Sequence, residues 1–265
     1  MQVTLDRAVS FKEGQKDGQN AKVEKLACDG KVFVVEEKKD AKGNREQYHR
    51  LESTQVSLDN VLELVNASGP GKVIIISNGT EDQGLAPPGP ATAGSTAKGE
   101  KLPPQPKGEE LQLTRIDFLT RMYSNNKDNV RTSKFYDNVQ IYHAPGDRPD
   151  MKMDPDHPPK GGFYMRCEIL TVYTMKIAND KTSQIMQAER KVSFRTQEFY
   201  GNASSAKYNQ SQEIMIFEGV PGNPAKLYQF VPGTNQTREI QGMKILYNRR
   251  TGAIDVKDAT GIGGS

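Results

Sequence analysis

The chain of 265 residues contains no tryptophan, two cysteines and three histidines. No stretch approaches the roughly 18–20 consecutive apolar residues that a membrane-spanning helix requires. Charge of one sign is also missing: 36 Lys+Arg against 33 Asp+Glu leave a net charge of only +3. That balance argues against a dedicated nucleic-acid binder, which needs a basic stripe to neutralise phosphates. The cysteines, Cys28 and Cys167, stand far apart and in no metal-ligand or CxxC spacing. They read as two separate thiols packed as small hydrophobes, with pairing left open for an oxidising compartment. No phosphate-binding GxxxxGK[ST] loop, GxSxG elbow or HExxH helix occurs. His49 and His143 read as surface residues at strand ends, and no cofactor or metal is expected.

Glycine and proline, by contrast, are plentiful and unevenly placed. From Gly79 to Glu110 the chain runs through Gly84-Leu85-Ala86-Pro87-Pro88-Gly89-Pro90 and Leu102-Pro103-Pro104-Gln105-Pro106. Proline removes backbone donors there and few apolar side chains exist to bury, so 79–110 is expected to be a flexible linker or insertion. It separates β repeats in 1–78 from a second β segment in 111–265. A second excursion, 144–162, carries Pro145, Pro149, Pro155, Pro158 and Pro159. Its acidic residues Asp150, Asp154 and Asp156 are interleaved with Arg148, Lys152 and Lys160, which favours a solvated loop over a calcium site.

Outside these segments the apolar residues alternate. Val32/Val34, Val139/Ile141, Val192/Phe194, Ile214/Ile216, Ile245/Tyr247 and Ile254/Val256 each set two apolar side chains on one face, with polar residues between several of them. Strands with one wet face belong to antiparallel sheets. Turn signals recur every eight to twelve residues or so, as in sandwiches, barrels and rolls. Helical periodicity is scarce, and the best candidate, 112–123, reads equally well as a strand. The expectation is an all-β protein.

Two short patterns return along the chain. One is a small turn followed by an alternating strand: Cys28-Asp29-Gly30-Lys31-Val32-Phe33-Val34, then Tyr136-Asp137-Asn138-Val139-Gln140-Ile141, and more loosely Ala188 to Phe194. The other is a hairpin closed by glycine, seen at Thr54 to Gly69, Ala203 to Gly219 and Gly242 to Gly261. One such unit cannot close a core, whereas a stack of them buries a continuous apolar stripe.

These residues resemble the OstA-like (LptA/LptC-like) domain of the lipopolysaccharide transport bridge. The best local matches are Asn202-Ala203-Ser204-Ser205-Ala206-Lys207-Tyr208 through Ile214 to Gly219, and Ile240 to Tyr247 through Ala259-Thr260-Gly261. The likeness covers 130–265 well and 20–78 more thinly, and leaves out 79–110 and 144–162. It implies an antiparallel β-roll, or jellyroll, of stacked short strands. It also implies a non-enzymatic role in binding and passing on lipopolysaccharide-type lipid in the periplasm, after export by a signal outside this fragment. Partners implied are lipid and other OstA-like proteins joined end to end by strand pairing, without nucleic acid. Val32, Val34, Val139, Ile141, Val192, Phe194, Ile214, Ile216, Ile245 and Ile254 would line a lipid groove if the roll is open, and form plain core if it is closed. The basic cluster Arg238, Lys244, Arg249 and Arg250 reads as a solvated hairpin tip. A structural β-solenoid or sandwich without a ligand is the alternative.

Overall fold

A computed structural model describes residues 1–5, 23–39, 43, 45–78, 111–127, 130–176, 182–209, 212, 214–231, 233–234, 236–248 and 251–264. The described residues form fifteen strands. The first five are β1 (Gln2–Leu5), β2 (Val23–Lys39), β3 (Arg45–Asp59), β4 (Leu64–Ser68) and β5 (Gly71–Asn78). Next come β6 (Leu111–Phe118), β7 (Arg121–Lys127), β8 (Val130–Pro145), β9 (Phe163–Lys176) and β10 (Thr182–Arg195). The last are β11 (Phe199–Asn209), β12 (Ile214–Glu218), β13 (Ala225–Phe230), β14 (Thr237–Asn248) and β15 (Ile254–Gly264). All join one antiparallel sheet. The fold is therefore all-β, and the 112–123 stretch becomes β6 and β7. The expected linker 79–110 lies outside the described residues. The segments on either side of it share the sheet, because β4 pairs with β7 and β5 with β6.

The sheet is creased. Along one line four of the longer strands change partners: β8 pairs with β7 through 130–136 and with β6 through 140–145. β3 divides in the same way between β5 and β4, and β11 and β14 each divide between β13 and β12. Two half-sheets result, and their apolar faces meet. Phe194 in one stacks on Phe217 in the other at 4.3 Å, and Phe199 meets Tyr247 edge-on at 5.3 Å.

The segments expected as turns preceding strands prove to be bulges within strands. Asp137 (φ 62°) and Asn138 (φ 46°) interrupt β8, and Arg190 (φ 65°) and Lys191 (φ 51°) interrupt β10. Gly30 (φ 95°) does the same in β2. A left-handed pair or a glycine inserts extra chain, bends the strand and keeps both its halves hydrogen-bonded. In sequence such a bulge is written in the same residues as a turn. At Asp137-Asn138 the bend lets Phe135 and Val139, on opposite sides of the crease, both enter the core.

The 144–162 excursion is also more than a solvated loop. Met151 and Met153 pack on a small second core of Tyr48, Ile74, Ile76 and Leu113, on the outer face of the first half-sheet. Gly146 N–H donates to Leu111 O at 2.8 Å, Arg45 donates to Asp147 O at 2.7 Å and Arg195 donates to Asp156 O at 3.0 Å. The loop is a strap tied at both ends. Among the described residues no cluster of metal-ligating side chains occurs, there or elsewhere.

Candidate functional site: an apolar cleft between the half-sheets

Inward positions follow from the cross-strand register. Val32, Val139, Ile141, Val192, Phe194 and Ile245 are buried in the main core, and Ile254 packs against it partly buried. Val34 lies opposite Leu51 on the same face but remains 46% exposed, at the lip of the fold. Ile214 and Ile216 depart from the expectation. β12 is apolar on both faces, so alternation cannot say which one turns in; its pairing with β11 does. Met215 sits opposite Tyr208 and Phe217 opposite Ala206, which puts Met215 and Phe217 inside and Ile214 and Ile216 outside.

His143 is another correction. It is only 6% exposed, its Nδ1 lies 3.0 Å from the Thr114 hydroxyl, and its ring stacks on Phe163 at 5.3 Å. The inward position on β8 that it occupies is set by the register with β6, which sequence did not supply. His49 is half-buried, with Nδ1 3.8 Å from a Glu36 carboxylate oxygen. Cys28 and Cys167 are both free thiols, the first partly buried and the second buried. Burial pushes the Cys167 thiol up to about 12. Lys244 of the basic cluster pairs with Glu218 at 2.8 Å, and Arg249 and Arg250 lie outside the described residues.

The interior differs from one end to the other. Toward the C-terminal strands, aromatic rings from both half-sheets fill it. Phe163, Met165, Met186, Phe194 and Phe217 surround a void of only about 20 Å³ there, room for little more than one water. Toward the N-terminal strands the two faces part to form a cleft of about 270 Å³. Its apolar wall is Leu51 and Val73 on one side and Val65, Met122, Phe135 and Val172 on the other. Val34 stands at its edge, and Glu36, His49, Arg50, Ile75, Ser124, Arg131, Ser133 and Thr174 complete the lining. The Ser124 and Ser133 hydroxyls are hydrogen-bonded at 3.0 Å, so those two polar groups are satisfied without a ligand.

A cleft with this apolar wall has the chemistry to hold an apolar chain. Of the sequence-derived positions, only Val34 touches it directly. Leu51, Val65, Val73 and Met122 were missed, although Leu51 and Val73 alternate with polar or outward residues in sequence. Leu51, Val73 and Met122 pack against the core yet stay partly open to the cleft, because of a gap between the half-sheets that no local pattern encodes.

Comparison with protein-family models and with curated proteins gave no match.

Proposed function

We propose that this chain is a non-enzymatic, OstA-like lipid-binding module of the cell envelope, acting in the periplasm on lipopolysaccharide-type lipid. The observation that supports this most is the 270 Å³ cleft, in which apolar side chains of two facing half-sheets line a space left open beside a packed core. Burying a hydrocarbon chain there gains roughly 25 cal/mol for each Å² of apolar surface removed from water. The creased antiparallel sheet and its recurring bulges agree with the sequence resemblance. Among the described residues β15 pairs only with β14, and the second half of β2 pairs only with β3. Such edges suit strand addition by a partner of like fold. No helix among the described residues is long and apolar enough to cross a membrane.

A second reading, a ligand-free structural module, is favoured by the filled interior around Phe194 and Phe217. Site-specific photo-crosslinking separates the two. A photoreactive side chain at Val34 or Val73 should form adducts with lipopolysaccharide, while one at the outward Ile216 should not. A folded protein that gives no adduct at any of these positions would favour the structural module.

A further inference from the structure

We propose that the cleft selects anionic amphiphiles and takes a single acyl chain, with the head group held by Arg131 at the mouth. The inference rests on the lipid-binding reading above and specifies what that site recognises. Three strands of the second half-sheet carry the argument. Moving away from the crease, the inward positions run Phe135, Ser133, Arg131 on β8, Met122, Ser124 on β7, and Val172, Thr174 on β9. Each strand passes from apolar to polar in the same direction. The cleft thus has an apolar floor and a polar margin, the profile that matches a molecule with a hydrocarbon tail and a polar head.

The two arginines at the margin are unequally committed. Arg50 pairs with Glu52 at 2.9 Å, while the exposed Glu36 carboxylate stands 3.8 Å from His49 and pairs with it only when that ring is protonated. Arg131 lines the cleft and is exposed, with no ion pair among the described residues. A guanidinium forms two parallel hydrogen bonds to a carboxylate or phosphate and keeps its charge at any working pH. The volume then limits the tail. About 270 Å³ lies just below the range of ordinary ligand pockets, roughly 300–1,000 Å³. Toward the C-terminal strands the interior offers no comparable space, the void beside Phe194 and Phe217 being only about 20 Å³.

The chain's lack of tryptophan supplies the test. Val34→Trp places a single indole at the lip, and its fluorescence reports occupancy. Laurate, dodecyl phosphate and dodecanol are titrated into this variant at low salt, with and without Arg131→Ala. The two anions should bind about tenfold more tightly than the alcohol, and Arg131→Ala should bring all three to a common affinity. Laurate ahead of dodecyl phosphate, or the reverse, tells carboxylate from phosphate as the preferred head. Equal binding of all three, unchanged by Arg131→Ala, overturns the head-group proposal and leaves the lipid-binding reading standing. No binding of any of the three, by a protein whose circular dichroism is that of a β-sheet, overturns both. Crosslinking of the parent chain through Val73, as above, guards against an effect of the indole itself.

Discussion

The ring of Phe194 lies over that of Phe217 at 4.3 Å with 18° between their planes, and the two belong to opposite half-sheets. This contact clamps the creased sheet shut at its C-terminal end. Gly201, directly across from Phe194 on β11, makes room for it: a Cβ there would come within 2.7 Å of the Phe194 ring and 2.4 Å of Lys226 O. Phe217→Ala should cost about 3–5 kcal/mol in urea unfolding, the usual range for a buried phenylalanine. Gly201→Ala should cost about 1–3 kcal/mol by overpacking. A cost near zero for both would mean that the interior is looser than this stacking implies.

The bulge in β8 holds Asn138 at φ 46°, which asparagine tolerates and a β-branched residue does not. Asn138→Val should destabilise by about 1–2 kcal/mol, whereas Asn138→Gly should stay within about 0.5 kcal/mol of the parent. Thermal denaturation of the pair distinguishes a backbone requirement from loss of the side chain. Equal effects of Val and Gly would place the requirement in the side chain instead.

Cys167 is buried and its thiol is pushed up to about 12, mainly because burial disfavours the thiolate. Its folded pKa is higher than the unfolded value of about 8.5, so its contribution to stability is complete below pH 8.5. That contribution is then lost progressively as pH rises toward 12. Native protein at pH 8 should therefore leave Cys167 unmodified by iodoacetamide, with labelling appearing only on unfolding. A Cys167→Ala variant should show a flatter decline in stability above pH 9. Rapid labelling of Cys167 in folded protein would contradict its burial.

The strap is held to the outer face by Met151 and Met153 over Tyr48, Ile74, Ile76 and Leu113. Replacing both methionines by serine removes apolar burial worth about 1–2 kcal/mol and should raise the open population of the strap roughly tenfold. Trypsin cleavage after Lys152 should accelerate by a similar factor while the rest of the sheet stays protected. Unchanged cleavage would assign the strap's attachment to its hydrogen bonds, from Arg45, Arg195 and the Gly146 N–H, rather than to the methionines.

Much of this arrangement is legible in local pattern. Alternation at Val139/Ile141 and Val192/Phe194 identifies strands and even their inward faces, because a polar residue stands between each pair. It cannot do so at Ile214-Met215-Ile216-Phe217, where both faces are apolar and only pairing with Tyr208 and Ala206 decides. His143 is hidden for a related reason: a histidine at a strand end looks like a surface residue until the register with Thr114 brings it inside.

The amino-acid sequence alone determined that this protein is a β protein with an excursion at 144–162, and that it carries no apolar run long enough for a membrane-spanning helix. Those are consequences of period-two alternation, turn residues and proline content, all local properties. The tertiary structure decided the rest. It turned Asp137-Asn138 and Arg190-Lys191 from apparent turns into bulges, because neighbouring strands pair continuously on both sides of them. It also decided which apolar residues become core and which line a cleft. That distinction depends on the distance between two half-sheets, which is set by side chains far apart in sequence, such as Phe194 and Phe217 at one end and Leu51 and Met122 at the other.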